Sequence, residues 1–558
     1  MRVGVTAIAA MAVTCLGIAW GTASSAPPGP PARPGAPRAM AAPDLDPSPP
    51  RAGAISQHPV KPLDGSQAQR LLQAQAMRET GRLDAAKEVL TSLLAESPHQ
   101  PIVLAELARV HMERQQWGHI ERLATAERAA TRDSVLLGRE LALAYERQSQ
   151  PRKAAQVAVE VWIAAPVEAE WAEATIQRLE DVEPRAGREP LRRAAEARPA
   201  RADLAAGAAR LEWRRGDTVM TLRLLSAADA TGPRTPLRWS FAQELLFAGT
   251  GRDTSGAIEV LLSLAADPAR DPAYRLPAAR RVLQVYAARS GQREGALRIA
   301  RALADLPPQA WSGDLLVGVV RGLRESGHSG EVRALLERLG DRRSAFPELA
   351  LEGALNELRD GPPARVLAMM ERAAIGSPEG VFQYAEALFF AGMPDSAMAL
   401  YRLVSNDPKS PYTAPALERL FLIEDADPQS ALPALGQMAY EAWRGEAKRA
   451  AALAESLYLA LPRGPLWAHA ALALAVQRDH GGDGPGALVV LLAVADSLPG
   501  DRLAPVARQR AGDVYRLRLK DDARALAQYE ECLARYPKAW NAPEVRRAVE
   551  TLRRERRF

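Results

Sequence analysis

The chain has 558 residues, 47% of them apolar and 25% charged, with a formal net charge of +5. That balance excludes an intrinsically disordered chain, and two cysteines exclude a disulfide framework. Only 7 of the 72 basic residues are lysine and the arginines are interspersed with 67 acids, so no basic stripe with interleaved aromatics exists to hold nucleic acid.

The N-terminus reads as an export signal. Met1-Arg2 is a minimal basic start, Val3 to Trp20 is uncharged and mostly apolar, and small residues follow from Gly21 to Ala26. Residues 1–25 are therefore expected to be a signal peptide cleaved after Ala23 or Ser25, or an uncleaved N-terminal anchor. A lipid on Cys15 is a further alternative, although Ala12-Val13-Thr14 matches a bacterial lipobox poorly. Twelve prolines between residues 26 and 62 predict a disordered, extended linker over 26–65. After cleavage only Cys532 would remain, and a buried, inert thiol is expected there.

From residue 66 onward the informative feature is a 34-residue period. Ala74, Ala108 and Ala142 are one period apart, as are Met77, His111 and Tyr145, and Ala86, Ile120 and Ala154; Pro98 and Pro166 are two apart. A shared period at several kinds of position predicts a helix-turn-helix unit repeated side by side. In the first unit, Gln67 to Gln100, Ser66 is the expected N-cap, Leu72 and Ala74 begin the packing face, Gly81 ends the first helix and Pro98 closes the second. The second unit, Pro101 to Ser134, keeps the pattern but has Arg132 where proline would close it. The third runs from Val135 to Glu168, and a fourth from about Ala169 to Ala200. The pattern is degenerate over 201–380, with helix pairs marked near Trp213-Gly216, Phe247-Gly249 and Leu283 to Pro307. It is clear again over 381–552, at Ala385 to Pro408 and at Gly512 to Pro537, before a short basic tail at 553–558. About twelve helix pairs are expected.

These positions resemble the tetratricopeptide repeat family, whose unit is two antiparallel helices with small residues where they cross. The turns Pro408-Lys409-Ser410 and Pro537-Lys538-Ala539, each followed by a helix opening with alanine and proline, resemble bacterial cell-envelope members of the Tol-Pal accessory and outer-membrane assembly lipoprotein kinds. The resemblance implies an all-α fold: an α-solenoid of tetratricopeptide-like repeats forming a curved superhelix.

No motif for catalysis, metal or cofactor stands out. There is no HExxH, no GxxxxGK[ST] and no GxSxG. His111 and His119 are the one close histidine pair, but His111 occupies the packing slot of Met77 and Tyr145. Residues 481–486 are glycine-rich yet expected to join two helices. Neither a cofactor nor a metal is predicted, and the chain is not expected to be an enzyme.

What the resemblance does imply is a binding wall made by the first helix of each unit. Carried onto this chain, its contact positions include Gln75, Arg78 and Glu79 in the first unit, Arg109, Met112 and Glu113 in the second, and Arg139, Glu146 and Arg147 in the third, with Leu71, Ala105 and Leu143 among them. Their mixture suits a protein or peptide segment. The expected function is an exported, non-catalytic scaffold binding other proteins, and conceivably other envelope components, in the periplasm, with membrane contact only through the N-terminus. The alternatives are the helical superhelix of a peptidoglycan-processing enzyme of the lytic transglycosylase type and a lipid-tethered outer-membrane assembly factor.

Overall fold

The computed structural model describes residues 61–232, 235–289 and 293–555. The expected signal or anchor, nearly all of the linker and the last three residues of the tail lie outside the described residues. Among those described there are 28 α-helices and no strand. The chain divides into two compact units, with the break between Val282 and Leu283, inside the helix Pro272–Arg289.

The unit ending at Val282 begins with the pair Gly65–Glu79 and Leu83–Glu96. It continues with Pro101–Glu113 and Trp117–Thr131, then Gly138–Arg147 and Pro151–Ala164. Each helix packs on its chain neighbours, and the first helices of these three pairs also meet in succession. The 34-residue register is visible in burial: Ala74, Ala108, Ala86, Ile120 and Ala154 are fully buried and Ala142 almost so. Small side chains there let the helices approach closely.

The turn inside each pair explains a second recurrent position. Gly81, Gln115 and Ser149 are one period apart and all left-handed, with φ of 76°, 56° and 58°. The repeat demands that conformation whether or not glycine supplies it.

Two expectations about the first pair are corrected. Its N-cap is Asp64, not Ser66: Asp64 Oδ1 accepts from the Gln67 N–H at 2.9 Å, and Gln67 Oε1 accepts from the Asp64 N–H at 3.1 Å. A carboxylate also favours the positive end of the helix. The packing face is carried by Leu71 and Ala74, while Leu72 is 65% exposed. Leu72 sits 34 residues before Glu106, a position that other pairs bury against the preceding pair.

The unit beginning at Leu283 continues the pairing from Gly313–Glu325 with Ser329–Leu339 to Pro378–Phe390 with Pro394–Ser405, where the order changes. The next helix, Thr413–Glu424, forms no hairpin with the one that follows. It packs on Pro394–Ser405 and touches Pro465–His480, while Leu432–Trp443 lies directly on Pro378–Phe390. Gly436 permits that approach, since a Cβ there would stand 2.2 Å from the carbonyl oxygen of Phe389. Pairing then resumes to Ala504–Leu517 with Asp522–Arg535, and Ala542–Glu555 closes the array. Two of the 28 helices thus lack a hairpin partner, which leaves thirteen pairs where about twelve were expected.

Candidate functional site

Much of the charge on the first helices of the opening pairs is tied between neighbouring pairs. Arg78 donates from Nε to Glu106 at 2.5 Å and from Nη1 to Glu113 at 2.6 Å; Arg109 donates to the other oxygen of Glu106 at 2.5 Å. Glu106 is fully buried. Burial works against the charge on Arg78, but its bonds to Glu106 and Glu113 outweigh that and raise its pKa. Further along, Arg139 donates to Glu168 at 2.8 Å, and Arg178 holds Glu146 through bonds of 3.1 and 2.8 Å. All but the Arg109–Glu106 bond, which lies within one helix, join neighbouring pairs, so the wall is cross-braced.

Three of the expected contact residues, Arg78, Arg109 and Glu113, are thereby brought together around one buried carboxylate. Arg139 and Glu146 lie in the next two braces. Arg139 also stands over the Trp171 ring at 5.4 Å, and Arg147 over the Trp117 ring at 5.9 Å. Gln75 and Met112 are half-buried on the wall; Glu79 is exposed, 3.7 Å from Arg78. Leu71 and Ala105 belong to the packing face instead.

Sequence reasoning missed the acceptors Glu106 and Glu168 and the donor Arg178. A signal for the first existed. Arg78 and Glu106 are 28 residues apart, and so are Arg324 and Glu352, which bond at 2.7 Å in the other unit with Glu352 fully buried and Arg321 donating to it at 2.6 Å. The same spacing from Glu140 falls on Met112. Glu140 is buried, and desolvation raises its pKa, although Arg109 and Arg139 pull the other way.

The residues considered for chemistry sit in structural roles. His111 is buried, its Nδ1 2.8 Å from Gln116 Oε1, and burial lowers its pKa. Residues 481–486 join Pro465–His480 to Gly484–Ser497, with Asp483 accepting from the Gly486 N–H at 2.9 Å. Cys532 is buried with Sγ 3.4 Å from the Pro505 carbonyl, and burial pushes its thiol up to about 11, far from the thiolate state a nucleophile needs.

In the last complete pair, Tyr529 lies against Gly512, where a Cβ would stand 2.4 Å from Cε1 of the ring. Ala525, Tyr529 and Cys532 line the hairpin core. Residues 507–539 match the family profile described as tetratricopeptide repeat. This hairpin is a tetratricopeptide repeat. No curated protein matches the chain. Solved structures with similar folds include the Cut9–Hcn1 hetero-tetramer of APC/C, at 13% identity and a TM-score of 0.23 over 88% of this chain and 96% of that one. Another is Naa15/Naa10 bound to HypK-THB, at 15% identity and 0.24 over 83% and 68%. A third is the tetratricopeptide domain of P58(IPK), at 9% identity and 0.19 over 88% and 98%. At such scores the fold assignment rests on the helix pairs themselves.

Proposed function

We propose that the chain is an exported, non-catalytic scaffold that holds protein segments against its first-helix wall in the bacterial cell envelope. The observation that carries this reading is the cross-bracing by Arg78–Glu106, Arg139–Glu168 and Arg178–Glu146. Braced helices hold their remaining exposed groups, such as Glu79 and Arg147, at fixed intervals, and a partner meets them without an ordering cost. The export pattern of residues 1–26 and the proline-lysine turns before Thr413–Glu424 and Ala542–Glu555 support the envelope setting. The peptidoglycan-enzyme alternative has less behind it. Helices continue through the described residues to Glu555; the buried Glu441 accepts from Gln437 on its own helix at 3.1 Å through one oxygen, and its other oxygen has no hydrogen-bond partner.

The test is photo-crosslinking in intact cells from a reactive amino acid placed at position 79. Discrete captured proteins are expected, and they should disappear when the charges are reversed by Arg147→Glu and Glu113→Arg. Capture of bulk periplasmic protein alone would overturn the scaffold reading. Mass spectrometry of the mature N-terminus separates cleavage after Ala23 or Ser25 from retention and from lipidation at Cys15.

A further inference from the structure

In the unit beginning at Leu283, the helices Gly313–Glu325, Pro347–Asp360 and Leu432–Trp443 end beside one another. Contacts at their C-terminal turns fix this. Arg359 donates from Nη1 to the carbonyl of Arg324 at 3.1 Å, and its Nη2 lies by the turn at Gly327, where a Cβ would stand 3.9 Å away. Tyr440 donates to the carbonyl of Leu358 at 2.8 Å and to that of Gly361. Arg444 stands over the Tyr440 ring at 5.4 Å. Ser326 donates to the carbonyl of Arg293 at 2.9 Å. The guanidiniums of Arg293, Arg324, Arg359 and Arg444 are thus gathered along one edge, each residue half-buried.

The acids nearby are already committed. Glu325 pairs with Arg293 at 3.1 Å and lies 3.7 Å from Arg324. Glu352 takes Arg324 and Arg321, and Asp360 is bonded by Arg333. Glu441, one turn before Arg444, accepts from Gln437 and reaches no guanidinium. Among the described residues, Arg359 and Arg444 have no carboxylate partner. The crowding registers at Arg359, whose pKa is lowered by burial and by the charges of Arg324, Arg293 and Arg444, against Asp360. The negative ends of three helices favour cations, which accounts for arginine at each. They supply no acid. Two planar guanidiniums, one held on a carbonyl and one on a ring, therefore remain open to bidentate bonds. Because both are already positioned, little side-chain freedom is lost when an anion arrives.

We propose that this edge is a second binding site, for an acidic protein segment whose neighbouring carboxylates meet Arg359 and Arg444. It rests on the reading of the chain as a protein-binding scaffold, but on none of the residues of the wall between Gln75 and Arg147. One carboxylate would leave the other arginine unmet, so adjacent aspartates and glutamates fit better than an isolated acid.

Fluorescence anisotropy tests this with the full chain and a rhodamine-labelled probe, Gly-Glu-Asp-Glu-Asp-Gly, beside a control with glutamine and asparagine for the acids. Saturable binding of the acidic probe is expected at low salt, with a Kd below about 1 mM, and weaker binding at high salt. The control should not bind. Arg359→Gln and Arg444→Gln should each weaken binding about fivefold to tenfold. Arg359→Gln should also leave the melting temperature unchanged or raised, since it thins a crowd of like charges; a purely structural arginine would lower it. The proposal is overturned if the acidic probe fails to bind up to about 1 mM, if the control binds equally well, or if Arg444→Gln binds as the parent does. Stabilisation by inorganic phosphate without binding of the probe would mark a small-anion site and overturn it too. Capture from position 79 uses none of these residues, so the two readings fail separately.

Discussion

The carboxylate of Glu386 receives two bonds of 2.7 Å from the guanidinium of Arg419, and both side chains are nearly withdrawn from solvent. Tyr401 donates to the same carboxylate at 2.5 Å, and Arg419 also stands over the Phe389 ring at 5.2 Å. Burial and the neighbouring Glu386 charge hold the Tyr401 phenol well above its ordinary pKa, so it remains a donor. This cluster fastens the unpaired helix Thr413–Glu424 to the hairpin Pro378–Phe390 and Pro394–Ser405.

Arg419→Ala leaves Glu386 charged, buried and short of a partner, and is expected to cost about 3–5 kcal/mol. Arg419→Met combined with Glu386→Gln keeps an acceptor for Tyr401 and removes both charges, so most of that loss should be recovered. Urea unfolding of the three proteins measures this. A loss below about 1 kcal/mol for the single variant would show that the pair does not hold the helix.

Asp513 is expected to give the chain a pH dependence. Burial raises its carboxyl from 3.8 to about 6, against the lowering effect of the bond from Tyr529 at 2.6 Å. The folded pKa lies above the unfolded one, so the contribution of Asp513 to stability is greatest below pH ~4, declines as pH rises to ~6, and is flat beyond. Asp513→Asn keeps an acceptor for Tyr529 and should flatten that slope, with a gain at pH 7 of at most about 3 kcal/mol. Thermal unfolding from pH 4 to pH 8 checks it; a slope unchanged in the variant would refute the assignment.

The 28-residue spacing makes a prediction for Glu140. Met112→Arg places a guanidinium where Arg78 serves Glu106 and Arg324 serves Glu352. It should lower the Glu140 pKa and stabilise the unit by about 1 kcal/mol at neutral pH. The gain should begin to fade as pH drops below the parent's raised Glu140 pKa and vanish below the variant's lowered one, where both proteins carry a neutral acid. A variant less stable than the parent at pH 7 would show that the braces depend on more than spacing.

The left-handed turn of the third pair is a separate test of the repeat register. Ser149→Gly relieves a side chain held at φ 58°. About 0.5–1 kcal/mol of stabilisation is expected, read as a rise in melting temperature. Destabilisation would mean that the serine side chain contributes something the register does not explain.

These cases show what could be read from residues alone. Ala86, Ile120 and Ala154 announce their fully buried position because small and aliphatic side chains there recur with the period. The turn at Gln115 and Ser149 is legible only by extension from Gly81, since neither residue asks for a left-handed backbone. Thr413–Glu424 was legible as a helix opening with alanine and proline, but not as an unpaired one. Its apolar face fits any neighbour, and the choice of the hairpin Pro378–Phe390 with Pro394–Ser405 is made by Arg419 with Glu386, 33 residues apart in sequence, and Tyr401. The candidate wall came from family likeness, and its braces were hidden because charges are abundant on every solvated helix.

The unpaired helix also marks where the chain can be shortened. Leu432–Trp443 already seats its Gly436 against Phe389, so the hairpins on either side touch without help from the segment between them. Excising that segment, bridging the gap with a few polar residues and neutralising Glu386 should yield an unbroken run of hairpins. Thr413–Glu424, with Ala416, Leu420, Leu422 and Ile423 buried in the same core, is then an inserted layer, and its excision tests whether the flanking hairpins close over the gap.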